Sequence, residues 1–397
     1  MREAELARLG DAVGRVVFPE PVATALTDLL DEARARNEAV LLAFETADSQ
    51  LLPIPFEAAR IPGGRLPVLE PGVRILRRHL GARAGAAAPL PGPLRILVAI
   101  GAPDEGKTKN TVLDIESELQ TILDAVDKAR QYGNAEVDIL EVGHPDQIRN
   151  ALLERSYHVL HLSGHGTAGK IELETEDGAP LEVSAGELAG VIRSAHEPLP
   201  LVVLATCHGG VSESDTASLA QGLLEQGLPM VLAMQSTVSD WYATRLAGAF
   251  YGHLARRDVR LPSHALALAR QDVEEERRKL LRLGAGGSVP VPEYATPSLF
   301  CAGDEIPLLD WDADKIDSLT RPPQPVTGPV PLLNIGDLVG RRVAANFRAV
   351  DWGCAGDAGR RGELWNGMTT SEGGGYLGDS NLAPKGHRRK AWHFNAR

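Results

Sequence analysis

Two short stretches of this chain combine residue types capable of nucleophilic chemistry. Val159-Leu-His-Leu-Ser-Gly-His165-Gly166 closes on a histidine and a glycine, and Leu201-Val-Val-Leu-Ala-Thr-Cys207-His-Gly209-Gly210 closes on a cysteine followed by glycines. A free thiol is mostly protonated near neutral pH, so a cysteine nucleophile needs a base that removes its proton or holds it as a thiolate-imidazolium pair. His165 is the candidate base and Cys207 the candidate nucleophile. Glycine lets backbone amides approach a scissile carbonyl closely, which makes the amides of Gly166 and Cys207 the expected oxyanion hole. Asp215 and Asp240 follow later strand ends. They are candidates to line a pocket for a basic residue, against the plainer role of helix N-caps.

Both runs have strand length and then break into small residues, as a buried parallel strand does on entering a functional loop. Leu181 to His196 has helical apolar spacing (Leu188, Val191, Ile192), so the simplest unit is β-α-β. A right-handed crossover makes the strands parallel and brings His165 and Cys207 to one carboxyl edge, where open α/β sheets place their ligand sites. Upstream, strands are expected at Leu94–Ile100 and Ala135–Val142, with helices at Leu113–Ala129 and Gln147–Arg155. Downstream come a helix at Ala217–Gln226, a strand at Pro229–Met234 and a long helical region from Trp241 to Leu283 interrupted by Pro262. This alternation predicts an α/β fold with helices on both faces of a mostly parallel sheet. Ahead of it, Glu38–Phe44 and two strands within Arg65–Leu80 predict a small β-containing N-terminal lobe, and the Pro-rich Gly81–Pro93 reads as a linker.

The paired motifs resemble those of the caspase-like cysteine peptidases, in particular the bacterial CHAT family. The likeness extends to Leu52-Pro-Ile-Pro-Phe-Glu57, Pro71-Gly-Val-Arg-Ile-Leu-Arg77, Ala217 to Gln235, Val238-Ser-Asp240 through Tyr251, and Ala295-Thr-Pro-Ser-Leu-Phe300. It covers roughly residues 1 to 310 and implies a caspase-like three-layer α/β/α domain with Cys207 as nucleophile and His165 as base. It also implies a protein or peptide substrate and no organic or metal cofactor in the chemistry. Caspases and metacaspases carry Gln or Asp two positions before the nucleophile, where this chain has Ala205, so a preference at the cut does not carry over.

Other features bear on alternative functions. Gly101-Ala-Pro-Asp-Glu-Gly106-Lys107-Thr108 has P-loop spacing after a strand and raises a nucleotide-binding switch. Asp104 and Glu105 would repel phosphate, helical periodicity starts only near Val112, and no later strand ends in a magnesium-binding Asp. A non-catalytic caspase-like scaffold is the other alternative. His158 and His161, three apart on a strand, face opposite sides, and with His208 they read as structural. Three widely spaced cysteines, Cys207, Cys301 and Cys354, make neither a zinc pattern nor a disulfide framework, so a reducing cytoplasm is the expected setting. A formal charge of -12 argues against nonspecific nucleic-acid binding. No uninterrupted apolar span of about 20 residues suggests a membrane anchor. The expected division is an N-terminal lobe at 1–90, a catalytic domain at 91–310, a Pro-rich linker at 311–342 and an irregular, disordered tail at 343–397. Leu332-Leu-Asn-Ile-Gly-Asp-Leu-Val-Gly340-Arg-Arg resembles the entry to a regulatory P-loop ATPase. The expected role is therefore an effector peptidase of bacterial signalling or defence under a sensor or ATPase module, with that module truncated or replaced by an out-of-frame tail.

Overall fold

A computed structural model describes residues 3–48, 51–85, 87–104, 106–108, 115–140, 142–167, 169–206, 216–236, 238–283 and 290–310. The chain opens with α1 (Glu3–Val17), α2 (Glu20–Arg36), β1 (Val40–Thr46) and β2 (Val73–His79). It continues through β3 (Leu94–Ile100), α3 (Ile115–Gln131), β4 (Ala135–Ile139), α4 (Pro145–Glu154) and β5 (Val159–Thr167). Then come β6 (Lys170–Glu174), β7 (Pro180–Ser184), α5 (Ala185–Arg193), β8 (Leu201–Thr206), α6 (Thr216–Glu225) and β9 (Met230–Met234). The last elements are α7 (Asp240–Leu254), α8 (Pro262–Arg282) and β10 (Pro297–Cys301). The expected linker at 311–342 and tail at 343–397 lie outside the described residues, as does Cys354.

Local chemistry explains the element boundaries. Pro145 and Pro262 occupy first-turn positions of α4 and α8, where a missing N–H costs nothing. Ser184 and Glu187 form a reciprocal capping box that starts α5. The expected helix over Leu181–His196 is therefore shorter. Its first residues belong to β7, whose hairpin with β6 turns at Asp177-Gly178, with Gly178 at φ 77°. Arg65–Leu80 yields one strand instead of two, because Pro67–Leu69 forms a 3-10 turn and Gly72 reverses the backbone at φ 79°. The region expected to form a β-containing N-terminal lobe also opens with two helices, α1 and α2. Leu6, Leu26, Leu30 and Ala33 line their buried faces against Val40, Val73 and Ile75.

The main sheet has the order β1-β2-β10-β9-β8-β5-β3-β4. β9, β8, β5, β3 and β4 are mutually parallel, while β10 is antiparallel to β9 and parallel to β2. β1 and β2 join this sheet through β10. From β3 the chain moves outward to β4, returns to β5 and then moves the other way to β8 and β9. The topological switch point consequently lies between β3 and β5, the position at which open α/β sheets place their ligand sites.

Strand alternation separates the two helical layers. Leu160 and Leu162 of β5 pack with Ile148 and Leu152 of α4, Leu188 and Ile192 of α5, and Leu219 and Leu223 of α6. His161 and Ser163 point to the other face, toward Glu118 of α3 and Tyr251 of α7. The result is an α/β/α sandwich around a mostly parallel sheet.

His158, at the amino end of β5, is fully buried and accepts the Arg95 amide at Nδ1 over 3.0 Å. Burial, with help from the Arg95 guanidinium, pushes its pKa down from 6.5 to about 4. The unfolded chain therefore binds the additional proton between these values. The stability from this residue is complete above pH 6.5 and is lost as pH falls toward 4, a change on the order of 3 kcal/mol. Urea unfolding midpoints across that window should fall more steeply for wild type than for His158→Gln, which keeps an amide acceptor without a titrating ring. Parallel curves would refute the assignment.

Candidate active site

β5 carries His165 to the switch point. The imidazole residue is 2% exposed and lies on the α3-facing side of the strand, directly beyond Ser163 and His161. Gly164, the residue before it, pairs with Thr206 at the end of β8. Gly166 pairs with Ile171 of β6. Cys207, Gly209, Gly210 and Asp215 lie outside the described residues.

A buried polar column supports this end of β5. The Glu118 carboxylate accepts from the Ser163 hydroxyl at 2.6 Å and from His161 Nε2 at 3.1 Å. With the ring proton on Nε2, Nδ1 of His161 accepts from the Tyr251 hydroxyl at 2.8 Å. Burial pushes the Tyr251 phenol well above its ordinary pKa, and the Glu118 charge adds to the effect, so the hydroxyl stays a donor. Both histidines expected to be structural, His158 and His161, thus have defined structural partners. His208 lies outside the described residues.

The P-loop-like stretch after β3 is used internally. Lys107 and Thr108 amides donate to the Asp104 carbonyl, and the Asp104 amide donates to the Gly178 carbonyl. The Lys107 ammonium donates to the Asp177 carbonyl and lies 3.1 Å from the Asp104 carboxylate. Thr108 donates to Glu172 at 3.0 Å. These contacts commit to the β6-β7 hairpin the groups that a nucleotide phosphate would require.

Asp240 is exposed in the first turn of α7, the helix that follows β9. The N-cap is Ser239, which accepts from the Tyr242 amide and donates to Glu293. Asp240 is consequently not consumed in capping. Cys301 is fully buried, and burial pushes its thiol well above the ordinary range, as expected of an inert core cysteine. Among the described residues no group of three or more His, Cys, Asp or Glu could hold a metal ion.

Comparison with family models decides the affiliation: the CHAT domain model matches residues 8–318. The chain belongs to the CHAT domain family. Among solved structures, the CHAT chain is similar to the Arg-specific cysteine proteinase gingipain R at 13% identity and TM-score 0.41, covering 77% of this chain and 75% of that one. The complex of pro- and mature domains of RgpB from Porphyromonas gingivalis matches at 12% identity and TM-score 0.42, covering 75% and 76%. The Saccharomyces cerevisiae separase-securin complex matches at 13% identity and TM-score 0.39, over 68% of the CHAT chain and 16% of that chain. No curated protein matches the sequence. Among the described residues, no helix of this CHAT protein is long and apolar enough to cross a membrane.

Glu118 and Glu172 were absent from the sequence-derived site. An alternating Lys170-Ile-Glu-Leu-Glu174 run before Asp177-Gly178 is a hairpin signal that would have revealed β6. Glu118 carried no such signal, since its partners come from strands and helices distant in sequence.

Proposed function

We infer that this CHAT protein is a cysteine endopeptidase acting on a protein or peptide partner. The reading is carried by the pairing of Gly164 with Thr206, the residues that immediately precede His165 and Cys207 in the chain. These two positions lie on neighbouring parallel strands, so the chain runs on from both toward one carboxyl edge of the sheet, where a nucleophile and its base would have to meet. Family membership supports the same assignment.

In the proposed reaction, the Cys207 thiol gives its proton to His165 and the sulfur forms a bond to the scissile carbonyl carbon. The amides of Gly166 and Cys207 stabilise the oxyanion. As the C–N bond breaks, His165 returns the proton to the leaving amine. Water then attacks the thioester, His165 takes its proton, and the carboxylic acid and free thiol are released. Asp240 supplies an exposed carboxylate beyond β9, suited to a basic side chain next to the cut. Asp215 is proposed for the same pocket. Control by a sensor or ATPase module is a further part of this reading and rests on the sequence at 311–342.

The test is incubation with acyloxymethyl ketones bearing varied residues beside the warhead, followed by intact mass measurement. One adduct per chain is expected, absent in Cys207→Ala, with Arg and Lys probes weakened several-fold by Asp240→Asn. Labelling that survives in Cys207→Ala would overturn the nucleophile, and equal labelling of Asp240→Asn by basic probes would overturn the pocket.

A further inference from the structure

The β6-β7 hairpin brings a carboxylate to the candidate base. β5 and β6 are antiparallel, and the residue directly opposite His165 is Glu172. Opposed residues of an antiparallel pair project from the same face with Cβ atoms about 4.5–5.5 Å apart, so the Glu172 charge acts on the ring at short range. Glu172 is 8% exposed, and the Thr108 hydroxyl donates to its Oε1 at 3.0 Å. Its backbone is also closely seated. A Cβ added at Gly101 or at Gly164 would stand 2.4 or 2.7 Å from the Glu172 carbonyl oxygen, so the ends of β3 and β5 admit β6 only as glycines.

We propose that Glu172 is the positioning residue for His165, and that Thr108 holds Glu172 in place. A carboxylate on the same face as the ring stabilises the imidazolium formed when the thiol proton is taken up. The other titratable groups on this side of the sheet have their own partners. Glu118 from α3 receives His161 and Ser163, Glu174 from β6 receives the Gly143 amide, and Lys107 donates to the Asp177 carbonyl. The stretch that reads as a P-loop thereby serves the histidine through Thr108.

The catalytic consequence rests on the Cys207-His165 reading, whereas the electrostatic one does not. The experiment follows the His165 imidazole by NMR titration of the full-length protein, with its resonance assigned among eleven histidines by His165→Gln. Glu172→Gln should lower the His165 pKa by about one unit or more. Thr108→Val should move it less in the same direction, and Thr108→Ser should restore it. Against a peptide substrate, Glu172→Gln should lower kcat about tenfold or more and leave KM within about twofold. An unchanged His165 titration in folded Glu172→Gln and Thr108→Val would overturn the pairing, even in an active enzyme. A shifted titration in a protein whose peptide hydrolysis is unaffected by Cys207→Ala would support the pairing and remove the peptidase reading.

Discussion

His165→Ala is expected to slow acylation at Cys207 by about 10²–10⁴-fold, the usual contribution of a positioned general base. The physical reason is the protonation state of the sulfur. An unassisted thiol has a pKa near 8.5 and is only a few per cent thiolate at neutral pH. A neighbouring imidazole either removes the proton during attack or stabilises the thiolate beforehand. The rate of alkylation by iodoacetamide across pH 5 to 10 separates these effects from substrate binding. Wild type should retain reactivity well below pH 8.5, whereas His165→Ala should follow an ordinary thiol titration. Because His165 is buried on β5, the variant's thermal unfolding must be compared with wild type. A folded His165→Ala protein that alkylates and hydrolyses peptide at the wild-type rate would eliminate His165 as the base.

The second large effect concerns the far side of the sheet. Arg77 of β2 and Glu57 are both fully buried and form a two-point ion pair, with Arg77 also donating to the Leu52 carbonyl. The guanidinium lies 5.1 Å from the Phe56 ring centroid and 5.4 Å from that of Phe300. Burial pushes the nearby Arg270 guanidinium down in pKa, Glu57 opposes this, and Arg77 adds to it. One carboxylate therefore serves two buried cations. Removing it leaves two like charges without that carboxylate, whereas removing Arg77 leaves Glu57 only the longer-range attraction of Arg270. Glu57→Gln should cost about 3–5 kcal/mol, the range for an uncompensated buried charge, and Arg77→Met should cost less. Denaturant unfolding monitored by tryptophan fluorescence measures both. Equal costs, or a greater cost for Arg77→Met, would refute the shared-carboxylate account.

Much of the sheet that leads to the candidate site was legible because its determinants are local. Apolar runs of strand length predict the strands that lead to His165-Gly166 and to Cys207, and β5 and β8 are parallel neighbours; where a loop is expected at His165-Gly166, β5 instead continues to Thr167 and pairs with β6. The Pro262 break between α7 and α8 was equally legible, since proline favours a first helical turn. Short alternating strands carried less weight. β6 and β7 have five residues each, and apolar spacing in the following helix outweighed their alternation.

The sequence by itself determined the α/β alternation and the parallel pairing of the strands that lead toward His165 and Cys207, because these depend on periodicity and on the fixed hand of the crossover. Tertiary structure decided that Glu172 stands opposite His165, that Glu118 ties Ser163 to His161, and that Thr108 joins the hairpin instead of a phosphate. Each of these contacts joins residues 43 to 64 positions apart or depends on an antiparallel register. Such pairings are set by which strands become neighbours and which backbones approach closely, and no local pattern encodes them.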